Sequence, residues 1–259
     1  MANDVTVTEL QPGIYLASRP LGQTSVVRAA LLLGERRAVV IDTLLCPEDM
    51  APLQVLLAGH GRPVIVVNTH ADWDHCWGNA AFPGVPIAGH RLCRERILSP
   101  DQTTLEKLKA EDPVRYANVA LIAPDLTFET SMTIDLGGLT LELHHLPGHT
   151  PDCLLAYVPE RRLLYMGDCA EDPFPLLNFP LLDSGPLDGW IAGLQSWAAR
   201  DVETVVPAHR RVGGVELLHE NAAYLEAVRR GDPYPAHYPS ADAPLHEENL
   251  AAARGLTAN

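Results

Sequence analysis

The sequence is short of positive charge. Lys and Arg number 19 against 33 Asp and Glu, for a formal net charge of −14. The cations form no basic block: Arg36-Arg37, Arg161-Arg162, Arg210-Arg211 and Arg229-Arg230 are separate pairs. A chain of this sign repels polyanions at long range, so nucleic acid is not an expected partner. Long apolar runs are also missing, which excludes a bilayer-spanning helix, and no membrane partner is expected. The first residues carry Asp4 and Glu9 instead of a basic region followed by an apolar stretch. No signal peptide is therefore expected, and the expected location is the cytoplasm. Cysteine is sparse. Cys46, Cys76, Cys93, Cys153 and Cys169 are odd in number and lack paired spacing, which fits reduced thiols better than a disulfide framework. There is no G-x-S-x-G elbow, no short-period repeat and no low-complexity linker.

Apolar residues, by contrast, make up 47% of 259 residues, enough for a sizeable core in a single domain spanning 1–259. Strands are expected over 5–10, 14–17, 25–33, 38–41 and 64–68, with a helix over 47–60 that has Pro47 at its start and Gly61 after its end. Strand, helix, strand is α/β grammar. Residues 91–125 read as a helical insertion, most charged over 101–120. Strands resume at 128–134, 139–145, 153–158 and 162–166, and helices at 187–199 and 215–229 flank a short strand at 204–206. The tail 233–259 has Pro233, Pro235, Pro239 and Pro244 and is expected to pack loosely.

The most informative segment is His70-Ala71-Asp72-Trp73-Asp74-His75, directly after the apolar run Val64–Val67. Four metal-binding side chains stand within six positions. Packed together, carboxylates and imidazoles repel or stay unpaired unless a cation joins them. Three further strand-end loops carry the same residue types: Pro147-Gly148-His149-Thr150, Gly167-Asp168 and Pro207-Ala208-His209. A sheet edge would gather them at one rim, with Gly148 and Gly167 letting the backbone turn sharply.

This ordered set resembles the metallo-β-lactamase-fold superfamily of metal-dependent hydrolases, whose order is H-x-H-x-D-H, a His in P-G-H-T, an Asp after an apolar strand, and a His in V-P-x-H. The resemblance implies a four-layer αβ/βα sandwich with a dinuclear metal site at one edge. It implies one metal held by His70, residue 72 and His149, a second by Asp74, His75 and His209, and Asp168 bridging both. Two divalent ions, zinc above all, would activate a bridging hydroxide, with Asp74 also orienting it. Asp42 corresponds to a structural residue beside the site.

Asp72 departs from the pattern, which has His there. With Asp72, Asp74 and Asp168 ionised, three negative charges face two divalent ions, leaving +1 where a His would leave +2. The centre should be harder and less positive, raising the case for Mn or Fe. The flavodiiron oxygen reductases, a related branch, have a carboxylate there and bind iron, but also carry a flavin domain, which is not expected here.

The expected function is hydrolysis of a small ester, thioester, lactone or amide, similar in motif to the glyoxalase-II-like branch. No distinct glutathione-binding signature is present, and Ala208 stands where the family usually has Gly. The alternatives are an iron-dependent, dioxygenase-like oxidoreductase on the same fold and a non-catalytic metal-binding protein. The apolar, proline-rich stretch 171–186 would wall the pocket of an uncharged small-molecule substrate, with Phe174 and Phe179 contributing; a homodimer contact is its competing role. Trp73 and Trp77 either pack the first ligand loop or line that pocket. Cys76 and Cys169 adjoin ligand positions and read as small buried residues.

Overall fold

Alternation along short β-branched runs builds the central elements. In the strand Ser25–Leu33, Val27, Ala29 and Leu31 face one core while Ala30 and Leu32 face another. This period of two buries both faces of the strand. The computed structural model describes residues 4–22, 25–99, 103–177 and 185–255. Its strands are β1 (Thr6–Gln11), β2 (Ile14–Leu21), β3 (Ser25–Leu33), β4 (Ala38–Ile41), β5 (Val64–Val67), β6 (Ile87–His90) and β7 (Leu126–Phe128), which form one sheet in that order. The second sheet runs β12-β11-β10-β9-β8, from β8 (Ser131–Asp135), β9 (Thr140–His145), β10 (Leu154–Val158), β11 (Leu163–Gly167) and β12 (Thr204–Pro207).

The two sheets face one another across a shared apolar layer. Ile14, Leu32, Ile41 and Val67 of the first meet Leu141, Leu143, Ala156 and Tyr165 of the second. Helices cover both outer faces. On the first lie α1 (Ala51–His60), the short α2 (Trp73–Cys76), α3 (Arg91–Ile97) and α4 (Thr103–Glu111), with Leu53, Cys93 and Leu105 buried. On the second lie α5 (Gly185–Ala198), α6 (Glu216–Arg230) and α7 (Ala243–Ala253), through Trp190, Ile191, Leu225 and Leu250. This is the expected αβ/βα sandwich. No helix among the described residues is long and apolar enough to cross a membrane.

Three local expectations change. The stretch 128–134 is not one strand: it breaks at Glu129-Thr130, where the chain leaves the first sheet as β7 and enters the second as β8. The helix from Pro47 opens as a 3-10 turn, Pro47–Met50, before α1. The tail after Pro233 does not pack loosely throughout. Within α7, His246, Asn249 and Leu250 are buried, and Asn249 donates to the Pro175 carbonyl and to the Tyr224 hydroxyl.

Pairing direction sets the functional edge. Strands β4, β5, β6 and β7 are parallel, as are β11 and β12, while β10 is antiparallel to both β9 and β11. The ends of β5, β9, β11 and β12 and the start of β10 therefore meet at one rim. Two contacts stitch the sheets there: Leu154 N–H donates to the Thr69 carbonyl at 3.0 Å, and Val27 bridges to His209.

Candidate metal centre

Each candidate ligand leaves a strand end at this rim. His70 follows β5. Asp72 caps the start of α2, with extended backbone and its carbonyl accepting His75 N–H at 3.0 Å, so one helical turn presents Asp74 and His75 together. His149 lies in the β9–β10 connection, Asp168 follows β11 and His209 follows β12. Gly167 takes a left-handed φ of 52° as the chain turns into Asp168, the freedom expected of it. Gly148 is not in that region. Its missing side chain makes room for the Trp190 ring, which a Cβ would approach to 2.4 Å.

All seven candidates converge. His70 Nε2 is 3.7 Å from Asp72 Oδ2 and 3.6 Å from Asp168 Oδ2, and His149 Nε2 is 3.2 and 3.5 Å from the same two oxygens. On the other side, His75 Nε2 is 3.7 Å from Asp74 Oδ1 and 3.3 Å from Asp168 Oδ1. His209 Nε2 is 3.5 Å from Asp74 Oδ2 and 3.4 Å from Asp168 Oδ1. Donors about 2.1 Å from a tetrahedral ion stand roughly 3.4 Å from one another. Asp168 offers one oxygen to each group. Among the described residues, sets able to hold an ion include His70, Asp72 and His149, then Asp74, His75 and His209, and also Asp168, Glu171 and His209.

The imidazoles are oriented from behind. His75 Nδ1 lies 2.9 Å from Asp42 Oδ2, and His70 Nδ1 lies 3.0 Å from Thr69 Oγ1, whose hydroxyl is held by the same Asp42 carboxylate. His149 Nδ1 faces the Leu176 carbonyl and His209 Nδ1 the Val26 carbonyl, both at 2.8 Å. With acceptors at every Nδ1, a proton is assigned there, and each Nε2 faces inward as the atom that would meet a cation. His70 Nε2, His75 Nε2 and Asp168 Oδ1 are buried with no hydrogen-bond partner among the described residues. Orphaned buried atoms that face inward fit a cation.

Charge points the same way. Burial alone would lower the His149 and His209 pKa. The Asp72 hydrogen bond lifts His149 to about 9, and the Asp168 carboxylate lifts His209 to about 10. Burial raises Glu171 to about 7. The site is a nest of carboxylates that draws in positive charge.

The surroundings answer the remaining expectations. Trp73, Phe174, Leu176 and Leu245 border the cleft over the centre, beside Glu171 and Arg210. Phe174 is fixed by stacking on Tyr224, with ring centroids 4.1 Å apart. Trp77 is not a wall of this cleft: it is buried against Trp73 and Tyr116 and borders a separate hollow on the far side of Asp72. Phe179 lies outside the described residues. Cys76 and Cys169 are buried, and burial raises the Cys76 thiol far above its ordinary value, so it supplies no nucleophile. His144 packs on Trp197 and His145 stacks on His90, neither in a metal-holding group.

Three residues were not singled out from sequence. Arg96 of α3 pairs with Asp72, the buried Asp152 pairs with Arg96, and Glu171 joins the Asp168–His209 side. A carboxylate replacing an imidazole calls for a countercharge, but nothing in the spacing selects the arginine 24 positions on.

Comparison with known proteins agrees with this geometry. A profile of the Metallo-beta-lactamase superfamily matches residues 22–209. The acyl-coenzyme A thioesterase MBLAC2 of Bos taurus is 27% identical over 214 residues, covering 74% of this chain and 76% of that one. The hydroxyacylglutathione hydrolase of Pseudomonas aeruginosa is 32% identical over 136 residues, 51% of this chain and 42% of that one. The structure of a metallo-beta-lactamase from Pontibacter korlensis superimposes with a TM-score of 0.64 at 25% identity, over 86% of this chain and 99% of that one. With the matched span running from β3 through His209 and the same two-sheet fold, the chain belongs to the metallo-beta-lactamase superfamily.

Proposed function

We propose that the chain is a metal-dependent hydrolase that cleaves a small carboxylic-acid derivative, a thioester or ester before a lactone or amide. One observation carries this reading: four Nε2 atoms and three carboxylates face one another at ligand spacing, and Asp168 offers an oxygen to each side. In this reading His70, Asp72 and His149 hold one divalent ion, Asp74, His75 and His209 a second, and Asp168 both. Bound there, divalent ions supply an activated water and polarise the acyl oxygen. The protein's own residues do the rest. Asp74 faces both His75 and His209 and is placed to orient the attacking water. Glu171, at the mouth of the cleft beside Asp168 and His209, is placed to pass a proton to the leaving group. Trp73, Phe174, Leu176 and Leu245 give the acyl part an apolar wall.

The acyl-coenzyme A thioesterase and the hydroxyacylglutathione hydrolase among its relatives support the substrate class. The apolar wall favours an uncharged acyl group over a phosphodiester. Zinc is the first expectation for the metal. An iron-dependent oxidoreductase is the second reading, favoured by the extra oxygen donors Asp72 and Glu171. A panel of acyl thioesters, aryl esters, lactones and an aryl phosphodiester, run with and without chelator, tests the proposal. Chelator-sensitive thioesterase or esterase activity is expected; a preference for the phosphodiester contradicts it.

A further inference from the structure

Asp72 is held from two sides. Its Oδ2 faces His149 Nε2 at 3.2 Å and His70 Nε2 at 3.7 Å, toward the centre. Its Oδ1 accepts from Arg96 Nη2 at 2.7 Å, away from it. Arg96 reaches across from α3, and its Nη1 donates to Asp152 Oδ1. Asp152 is fully buried and fixed in turn: its Oδ2 accepts Ala71 N–H at 2.8 Å and its Oδ1 the Thr150 hydroxyl at 2.7 Å. Ala71 precedes Asp72 and Thr150 follows His149, so Arg96 and Asp152 brace both loops that supply this side of the centre. The planar guanidinium fork suits two carboxylates at once, which an ammonium does not.

We propose that Arg96 is a positioning residue for Asp72: it turns Oδ2 inward and offsets the negative charge that Asp72 carries where an imidazole would be neutral. The proposal rests on the reading of Asp72 as a ligand. Asp72, Arg96 and Asp152 together carry −1; without Arg96 they carry −2. Arg96 thus offsets one of the two carboxylate charges, and Asp72 faces the centre less negative than an unpaired carboxylate would. Losing a residue that orients a ligand typically costs about 10–100-fold in metal affinity.

The test is a zinc competition titration of the full chain against a chromophoric chelator, with metal-free thermal melts as a folding control. Arg96→Gln is expected to weaken one of two zinc ions by about 10–100-fold and leave the other. Arg96→Lys should recover part of that loss, since charge returns without the fork. In the Asp72→His background, removing Arg96 should leave zinc affinity unchanged or tighter, because the arginine then faces an imidazole. An equal loss in both backgrounds overturns the proposal, as Arg96 would then only brace Asp152 and the fold. So does undiminished affinity in Arg96→Gln. If Arg96→Gln does not fold, the same two-background comparison with Arg96→Lys decides: a smaller loss beside Asp72 and none beside His supports the clamp, and any other pattern overturns it. A wild-type chain that binds no zinc overturns the metal-site reading and the clamp together. One that binds two while Arg96 variants behave as wild type overturns the clamp alone.

Discussion

The Asp42 carboxylate lies 2.9 Å from Nδ1 of His75, buried at the end of β4 with no exposed surface. The same carboxylate accepts Thr69 N–H at 2.8 Å and the Thr69 hydroxyl that faces His70. One residue thus orders an imidazole on each side of the centre, directly on one and through Thr69 on the other. Asp42→Asn keeps the shape and removes the charge. It is expected to weaken metal binding by about 10–100-fold while leaving the second-sheet ligands His149 and His209 in place. Chelator competition on the purified variant checks this; unchanged affinity would mean that Asp42 serves only the backbone.

Proton release gives a second prediction. Without metal, Asp72 and Asp168 lift His149 to about 9 and His209 to about 10, above an ordinary value of 6.5. A group whose folded pKa is raised stabilises the metal-free protein fully below its unfolded pKa, and that contribution is lost as pH rises through 9 to 10. Metal uptake runs the other way, because it requires both imidazoles deprotonated. The difference in Tm between metal-loaded and metal-free protein should therefore widen from pH 6.5 to pH 10. Paired calorimetric scans with metal and with chelator measure it, and a gap independent of pH contradicts the assignment.

Glu171 supplies a third. Burial raises its carboxyl from an ordinary 4.5 to about 7. The metal-free fold therefore keeps Glu171 protonated at a pH where the unfolded chain has released the proton. The resulting stability is intact below about pH 4.5 and lost as pH rises through 7, by on the order of 3 kcal/mol at most. Glu171→Gln removes the titration. The metal-free variant should melt higher than wild type at pH 8 and no higher at pH 4.5. Identical pH dependence in the two proteins would place the Glu171 carboxylate elsewhere.

The candidate ligands were legible because each sits at the end of an apolar strand, so local pattern and functional residue travel together. Asp42, just after β4, was placed beside the site by the family resemblance and not by its own pattern. The other residues that orient the ligands were not legible. Arg96 meets Asp72 only because α3 folds back over the first ligand loop, and Asp152 meets Arg96 only because the second sheet closes on the first. Neither encounter leaves a periodicity. The break between β7 and β8 was hidden for a similar reason. The run from Phe128 to Ile134 alternates well enough for one strand, while the crossing is set by long-range bonds: His90 Nε2 pairs with the Glu129 carbonyl and His145 N–H with the Thr130 carbonyl. The two roles open to Trp77 could not be separated in sequence, because adjacency to the ligands says nothing about which side of Asp72 a ring occupies; the ring packs with Trp73 and Tyr116.

Metal stoichiometry tests the dinuclear centre most directly. Elemental analysis of the purified chain, reconstituted and freed of loosely held ions, should give two divalent ions per chain. His149→Ala and His209→Ala should each retain one, and Asp168→Ala should bind neither tightly. A wild-type chain holding one ion or none, or ligand variants that hold as much metal as wild type, would contradict a dinuclear centre built from these seven residues.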